Sequence, residues 1–176
     1  MSLLVKKFMS NKASDKFTLA EYRELLRLAK SEYRFVCYDN IPWGERFILW
    51  RHDCDISLNR ALALARIEAE EDIKSTFFIH LNSSYYNIFE KNQFRIVEEI
   101  LNYGHDLGVH LDSFQVLSVK KSHSLHDQVR LHAGLLGDIF GVKPTAFSFH
   151  DPSPTQLAYD EDTYGGLVNC YSRRFK

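Results

Sequence analysis

From Thr18 onward the chain alternates short, nearly continuous apolar runs with longer segments whose apolar residues recur at helical spacing. Residues 18–33 predict a helix. Leu19, Tyr22, Leu25, Leu26 and Leu28 follow that spacing, and Thr18 with Glu21 three residues on has the spacing of a capping box. FILWRH, over 47–52, reads as a buried strand. Residues 57–72 predict a second helix, capped by Ser57, with Ala61, Leu64, Ala65 and Ala69 as its apolar set. The cycle then repeats. KSTFFIHL (74–81) is strand-like, and 89–102 is helical, with Phe94, Val97, Ile100 and Leu101 on one face and Gly104 at its stop. Residues 105–112 predict a strand, 124–141 a helix closing on Gly141, and 145–151 and 165–172 two more strands. Strands starting near Phe47, Thr76, Leu107 and Ala146, separated by amphipathic helices, predict an α/β fold with parallel, buried strands. Right-handed crossovers bring their C-terminal ends to one rim.

Composition narrows the function classes. The chain has 176 residues, the length of one domain, with residues 1–44 as an N-terminal helical extension. Lys plus Arg is 22 against 23 for Asp plus Glu, a net charge of −1, so no electrostatic footprint for nucleic acid or an acidic membrane surface is present. No apolar run approaches the roughly 20 residues of a membrane span. The opening residues show no secretory h-region, and three widely spaced cysteines make no disulfide framework, so a cytoplasmic chain is expected. Nothing in the sequence fixes an oligomeric state.

The polar residues that end the apolar runs carry the candidate chemistry. The first strand ends in RHDCD, with Asp53 and Asp55; the second in IHLN, with His80; the third in VHLD, with His110 and Asp112; the fourth in FHD, with His150. In α/β folds this rim is where ligands bind. Two carboxylates two residues apart repel one another, and a divalent metal is the commonest reason to keep them together. Imidazole with carboxylate is the ligand set of a catalytic zinc that retains one open position, and the other carboxylate is then free to act as general base. The plainer reading is that these groups cap exposed backbone at the strand ends. That reading suits His105, which precedes its strand. His123, His126 and His132 lie on or near a charged helix and read as its solvated face. Cys54, between the two acids, reads as a small buried residue.

At RHDCD and GHDLGVHLDSF the sequence resembles the polysaccharide deacetylase (NodB-homology, carbohydrate esterase family four) superfamily, over roughly residues 45–172. RHDxDxS, KSTFF, GHDLGVH, FSFHDPS and GLVNCYS together look most like a divergent branch associated with surface-polysaccharide (O-antigen or capsule) biosynthesis. The resemblance implies a distorted or partial (β/α)7-type barrel, shortened at its C-terminal end. It implies a hydrolase that removes an N- or O-acetyl group from a sugar of a surface polysaccharide or its precursor, with Zn2+ as the expected metal and an acetylated carbohydrate as partner. Asp53 falls on the catalytic base, Asp55 on a metal ligand and His110 on the first metal-binding histidine. The family's next histidine falls on Phe114, and the late motif that supplies its general acid has no counterpart. His150 stands where the family has an arginine that orients the base, so two roles are open to it: third metal ligand, the one favoured here, or partner of Asp53. Asp112 is the reserve ligand, and His80, Asp112 and Pro152 are the expected substrate contacts. The rival from another class is a deacetylase-like domain that has lost catalysis and binds glycan or a protein partner. Another metal-dependent hydrolysis or lyase reaction on a small substrate is a third reading.

Overall fold

The computed structural model describes residues 18–112 and 124–175. Its helices are α1 (Leu19–Glu32), α2 (Leu58–Glu70), α3 (Lys91–Asn102), α4 (Leu125–Phe140) and the short α5 (Pro154–Leu157). Its strands are β1 (Arg34–Val36), β2 (Phe47–Leu49), β3 (Arg51–Cys54), β4 (Thr76–Ile79), β5 (Asp106–Asp112), β6 (Ala146–His150), β7 (Thr163–Tyr164) and β8 (Leu167–Asn169). The helix ends follow side-chain chemistry. Thr18 with Glu21 and Ser124 with Asp127 form capping boxes, Ser57 caps α2, and Gly141 takes the left-handed conformation (φ 67°) that stops α4.

One six-stranded sheet has the order β3-β4-β5-β6-β8-β7, parallel except for β7, which pairs antiparallel with β8. The fold is therefore mixed α/β with parallel-dominated sheets. Among the described residues the edges β3 and β7 do not pair with each other. The predicted strand over 47–52 is two strands. β2 pairs with β1 in a separate parallel ribbon and β3 pairs with β4, with a break at Trp50. The Trp50 carbonyl still accepts from Thr76, while its indole turns to donate to the Tyr22 hydroxyl. The 1–44 segment thus contributes, among its described residues, a strand as well as a helix.

Alternation divides each strand between two environments. Phe77, Ile79, Leu107, Val109, Leu111, Phe147 and Phe149 pack against α2, α3 and α4 in the main core. The opposite face carries, row by row, Asp53 beside Phe78 and Gly108, then His110 beside Ser148, then Asp112 beside His150. This second face is concave. β3 and β6 are separated by two strands, about 14 Å apart in a flat sheet, yet the Ser148 hydroxyl reaches Asp53 at 3.3 Å. Gly108 permits the close approach across this face: a Cβ there would lie 2.5 Å from the buried Phe78 ring.

A buried polar knot ties α1 to the sheet on the helix side. Glu68 of α2 is fully buried and accepts from the hydroxyls of Tyr22 and Ser75, with His52 Nε2 at 2.6 Å. Burial alone would raise the Glu68 pKa; these partners outweigh it and hold the carboxyl below its ordinary value. His105 closes the knot, its Nδ1 accepting from the Ser75 N–H and its Nε2 2.9 Å from the Ala65 carbonyl, as expected of a structural histidine.

His132 corrects the reading of α4 as a solvated face. It lies on the buried stripe with Val129 and Leu136, and burial, with the nearby positive charge of His80 when protonated, pushes its pKa down to about 4. Between pH 6.5 and 4 the unfolded chain therefore binds a proton that the folded chain refuses. Stability should fall on acidification through that window, by up to about 3 kcal/mol. In His132→Leu the slope of denaturation midpoint against pH should flatten there. Independently, Gly108→Ala should destabilise the fold by about 1–3 kcal/mol through overpacking against Phe78, read from chemical denaturation.

Candidate metal centre

Continuing the strand registers by one step places Asp55, His80, His110 and Ser148 in a single row at the C-terminal rim of the concave face. Period-two alternation explains why β3 presents Arg51, Asp53 and Asp55 on this face while Cys54 points into the core. The loop after β4 is anchored to the same rim. The Tyr86 hydroxyl donates to the Cys54 carbonyl at 2.6 Å and accepts from the His80 N–H at 3.1 Å, and Ser83 donates to the Asp55 carbonyl.

Three imidazoles converge on one carboxylate. Asp55 Oδ1 lies 2.7 Å from His110 Nε2 and 3.0 Å from His150 Nδ1. The His80 ring lies 4.6 Å from that of His150, tilted by 37°, and 5.7 Å from that of His110, edge-on at 85°, centroid to centroid. Asp55, His80 and His150 each offer a ligand atom, all within 4.8 Å of one another, and this group can hold a metal ion. His80 supplies the test of fit. It is 3% exposed, and neither of its ring nitrogens makes a hydrogen bond among the described residues, although Nε2 lies 3.3 Å from Asp112 Oδ2. A buried imidazole without a hydrogen-bond partner is costly in a protein interior and suited to a cation. Burial also lowers the pKa of His80 and His110, which keeps the neutral, ligating form available.

The second acid is held differently. Asp53 makes an ion pair with Arg51 at 3.2 Å, and its Oδ1 lies 3.3 Å from the Ser148 hydroxyl. Burial opposes the charge on Arg51, but Asp53 together with Cys170, Tyr171 and Tyr38 outweighs it and raises the guanidinium pKa. A cavity of about 500 Å³ between β3 and the start of α2, lined by Asp53 and Asp55 with Arg51, His52, Arg60 and Leu64, borders both carboxylates, and none of the three imidazoles lines it. That volume is within the range of small-molecule sites.

The residues singled out in the sequence fall as follows. Asp53, Asp55, His110 and His150 meet at one rim, and of the expected ligands Asp55 and His150 belong to the metal-holding group while His110 lies against Asp55 beside it. His80, expected as a substrate contact, stands inside the ligand cluster. Of the two roles open to His150, its contact is with Asp55, and the partners of Asp53 are Arg51 and Ser148. Asp112 lies beside His80. Pro152 is half-buried just past β6, beyond the left-handed turn at Asp151 (φ 44°). His126 accepts from the Gly165 N–H and is remote from the cluster's contacts. Phe114 and His123 lie outside the described residues. Arg51 and Ser148 were not among the sequence candidates. Each sits two residues from one that was, and strand alternation put it on the same face.

Compared with models of known protein families the chain matches none, and a comparison with curated proteins likewise finds no match. No described helix is long and apolar enough to cross a membrane.

The ligand assignment is testable by zinc titration in a calorimeter. Asp55→Ala, His80→Ala and His150→Ala should each weaken binding by at least 10-fold. Arg51→Ala, which touches only Asp53 of the two acids, should leave the affinity within about 3-fold.

Proposed function

We propose that this chain is a zinc-dependent deacetylase acting on an N- or O-acetylated sugar of a surface polysaccharide or its cytoplasmic precursor, built on a partial (β/α)7-type barrel. The observation that carries the proposal is the unequal treatment of two carboxylates on one strand face: Asp55 lies among three imidazoles, while Asp53 is tied to Arg51 and Ser148. Paired acids in contrasting environments are the pattern of divided catalytic labour. The singly wound strand order and the curl that brings Asp53 to Ser148 support the barrel reading. The similarity of RHDCD and GHDLGVHLDSF to the deacetylase motifs supports the substrate class.

Asp55 and His150, with His80 and His110, would hold the metal. Zinc, when bound, supplies a Lewis acid that polarises the acetyl carbonyl and makes water a nucleophile near neutral pH. The remaining work belongs to the side chains. Asp53 accepts the proton released as water adds to the carbonyl carbon. Arg51 holds one oxygen of the carboxylate and the Ser148 hydroxyl lies against the other. As the bond from the carbonyl carbon to the sugar nitrogen or oxygen breaks, the leaving atom needs a proton, and Asp53 in the same cavity can return the one it took. The products are acetate and the deacetylated sugar.

Acetate release from N- and O-acetylated oligosaccharides by the zinc-loaded chain tests the reading. Asp53→Asn should lower turnover by roughly 10²–10⁴-fold while zinc affinity stays near that of the unaltered protein. Zinc binding with no acetate release from any such substrate would instead favour a glycan- or partner-binding domain.

A further inference from the structure

The strongest unassigned feature is Ser148, a fully buried hydroxyl at the centre of the concave face. It stands between the two halves of the site, 2.7 Å from His110 Nδ1 and 3.3 Å from Asp53 Oδ1. On its far side the same imidazole faces Asp55, with Nε2 at 2.7 Å from Oδ1. A serine has one hydrogen to give and two neighbours here that can take it.

We infer that Ser148 is a positioning residue that couples metal occupancy of the site to the hydrogen bonding of Asp53; this rests on the metal reading above. With no cation in the site, a bare Nε2 facing a carboxylate oxygen at 2.7 Å is two acceptors in contact. The neutral ring therefore carries its hydrogen on Nε2 and donates to Asp55. Its Nδ1 is then an acceptor, the Ser148 hydroxyl donates to it, and Asp53 receives nothing from Ser148. When a cation takes the Nε2 lone pair, the hydrogen resides on Nδ1 and is donated to the Ser148 oxygen. The hydroxyl hydrogen is thereby released toward Asp53 Oδ1. The ring hydrogen changes nitrogen and the hydroxyl turns; no net proton enters or leaves the protein. The base is thus oriented by Ser148 only when the site is loaded. The arrangement follows from strand register, which sets His110 directly opposite Ser148. An outer hydrogen-bond partner of this kind fixes the tautomer of a ligating histidine.

The test uses the full chain labelled with 15N-histidine, at one mildly alkaline pH, with and without zinc. Long-range 1H–15N correlation reads which ring nitrogen of His110 bears hydrogen, the signal being assigned by its loss in His110→Gln. The expected result is hydrogen on Nε2 without zinc and on Nδ1 with zinc. Ser148→Ala, with its fold checked by thermal melting, should bind zinc roughly 10–100-fold more weakly. If zinc binds but the His110 hydrogen occupies the same nitrogen in both forms, or if Ser148→Ala binds zinc as tightly as the unaltered protein, the coupling is overturned while the metal reading stands. If calorimetry finds no zinc binding to the unaltered chain, the metal reading fails and the coupling fails with it.

Discussion

The curl of the six-stranded sheet is the constraint on which the site depends. Asp53 and Ser148 belong to strands that a flat sheet would hold about 14 Å apart, and they touch. Side chains converge on a concave face, so it cannot be filled as the helix face is. The helix side takes Phe77, Leu107, Val109, Phe147 and Phe149. The concave side places Phe78 beside a glycine, with the small Ala146 in the same small cluster. Alternating large and small residues in this way accommodates curvature. Above that floor the next row is polar, and curvature turns four separate strand ends into one cluster.

Charge then narrows what the cluster can do. With neutral imidazoles, the favoured state for His80 and His110, the carboxylates of Asp53 and Asp55 stand near the guanidinium of Arg51, which pairs with Asp53, and Arg60 lines the same cavity. Asp112 adds a further carboxylate beside His80. These positions gather carboxylates and imidazole lone pairs. A divalent cation offsets the first and occupies the second. The same accounting explains why Arg51 lies on the side of Asp53: a guanidinium among the imidazoles would compete for the place a cation would take.

Much of this was legible in the sequence because it rests on local periodicities. Alternation put Asp53 with Asp55, and His110 with Asp112, on one strand face, and capping residues marked the starts of α1, α2 and α4. Features that depend on pairing across the fold were not legible. Trp50 lies within a continuous apolar run, and its break appears only once Tyr22 of α1 is there to accept from the indole. β1 is three residues long, too short for a pattern. His132 sits among charged neighbours in sequence, yet helical geometry aligns it with Val129 and Leu136. Ser148 looks like an ordinary polar interruption in an apolar strand until register sets it against His110. IHLN offers one histidine and no acid, so a ligand role for His80 is not legible from its own run; its acids, Asp55 and Asp112, come from the two neighbouring strands.

The two buried polar systems separate structural from binding histidines. On the helix side, Glu68 meets hydroxyls from Tyr22 and Ser75 and the His52 ring, while both nitrogens of His105 have partners. Such a knot is satisfied as it stands, and a buried polar group that is satisfied contributes to order and asks for no ligand. On the concave side His80 is just as buried, yet its nitrogens have no hydrogen-bond partner among the described residues. Neighbouring groups could have satisfied it, as Ser148 does for His110. A buried ring with only the Asp112 carboxylate near Nε2 and nothing on Nδ1 costs stability, and that cost is intelligible when the missing partner is a ligand. By that criterion His52 and His105 hold the fold and His80 belongs to the site, although His105 and His80 are equally buried.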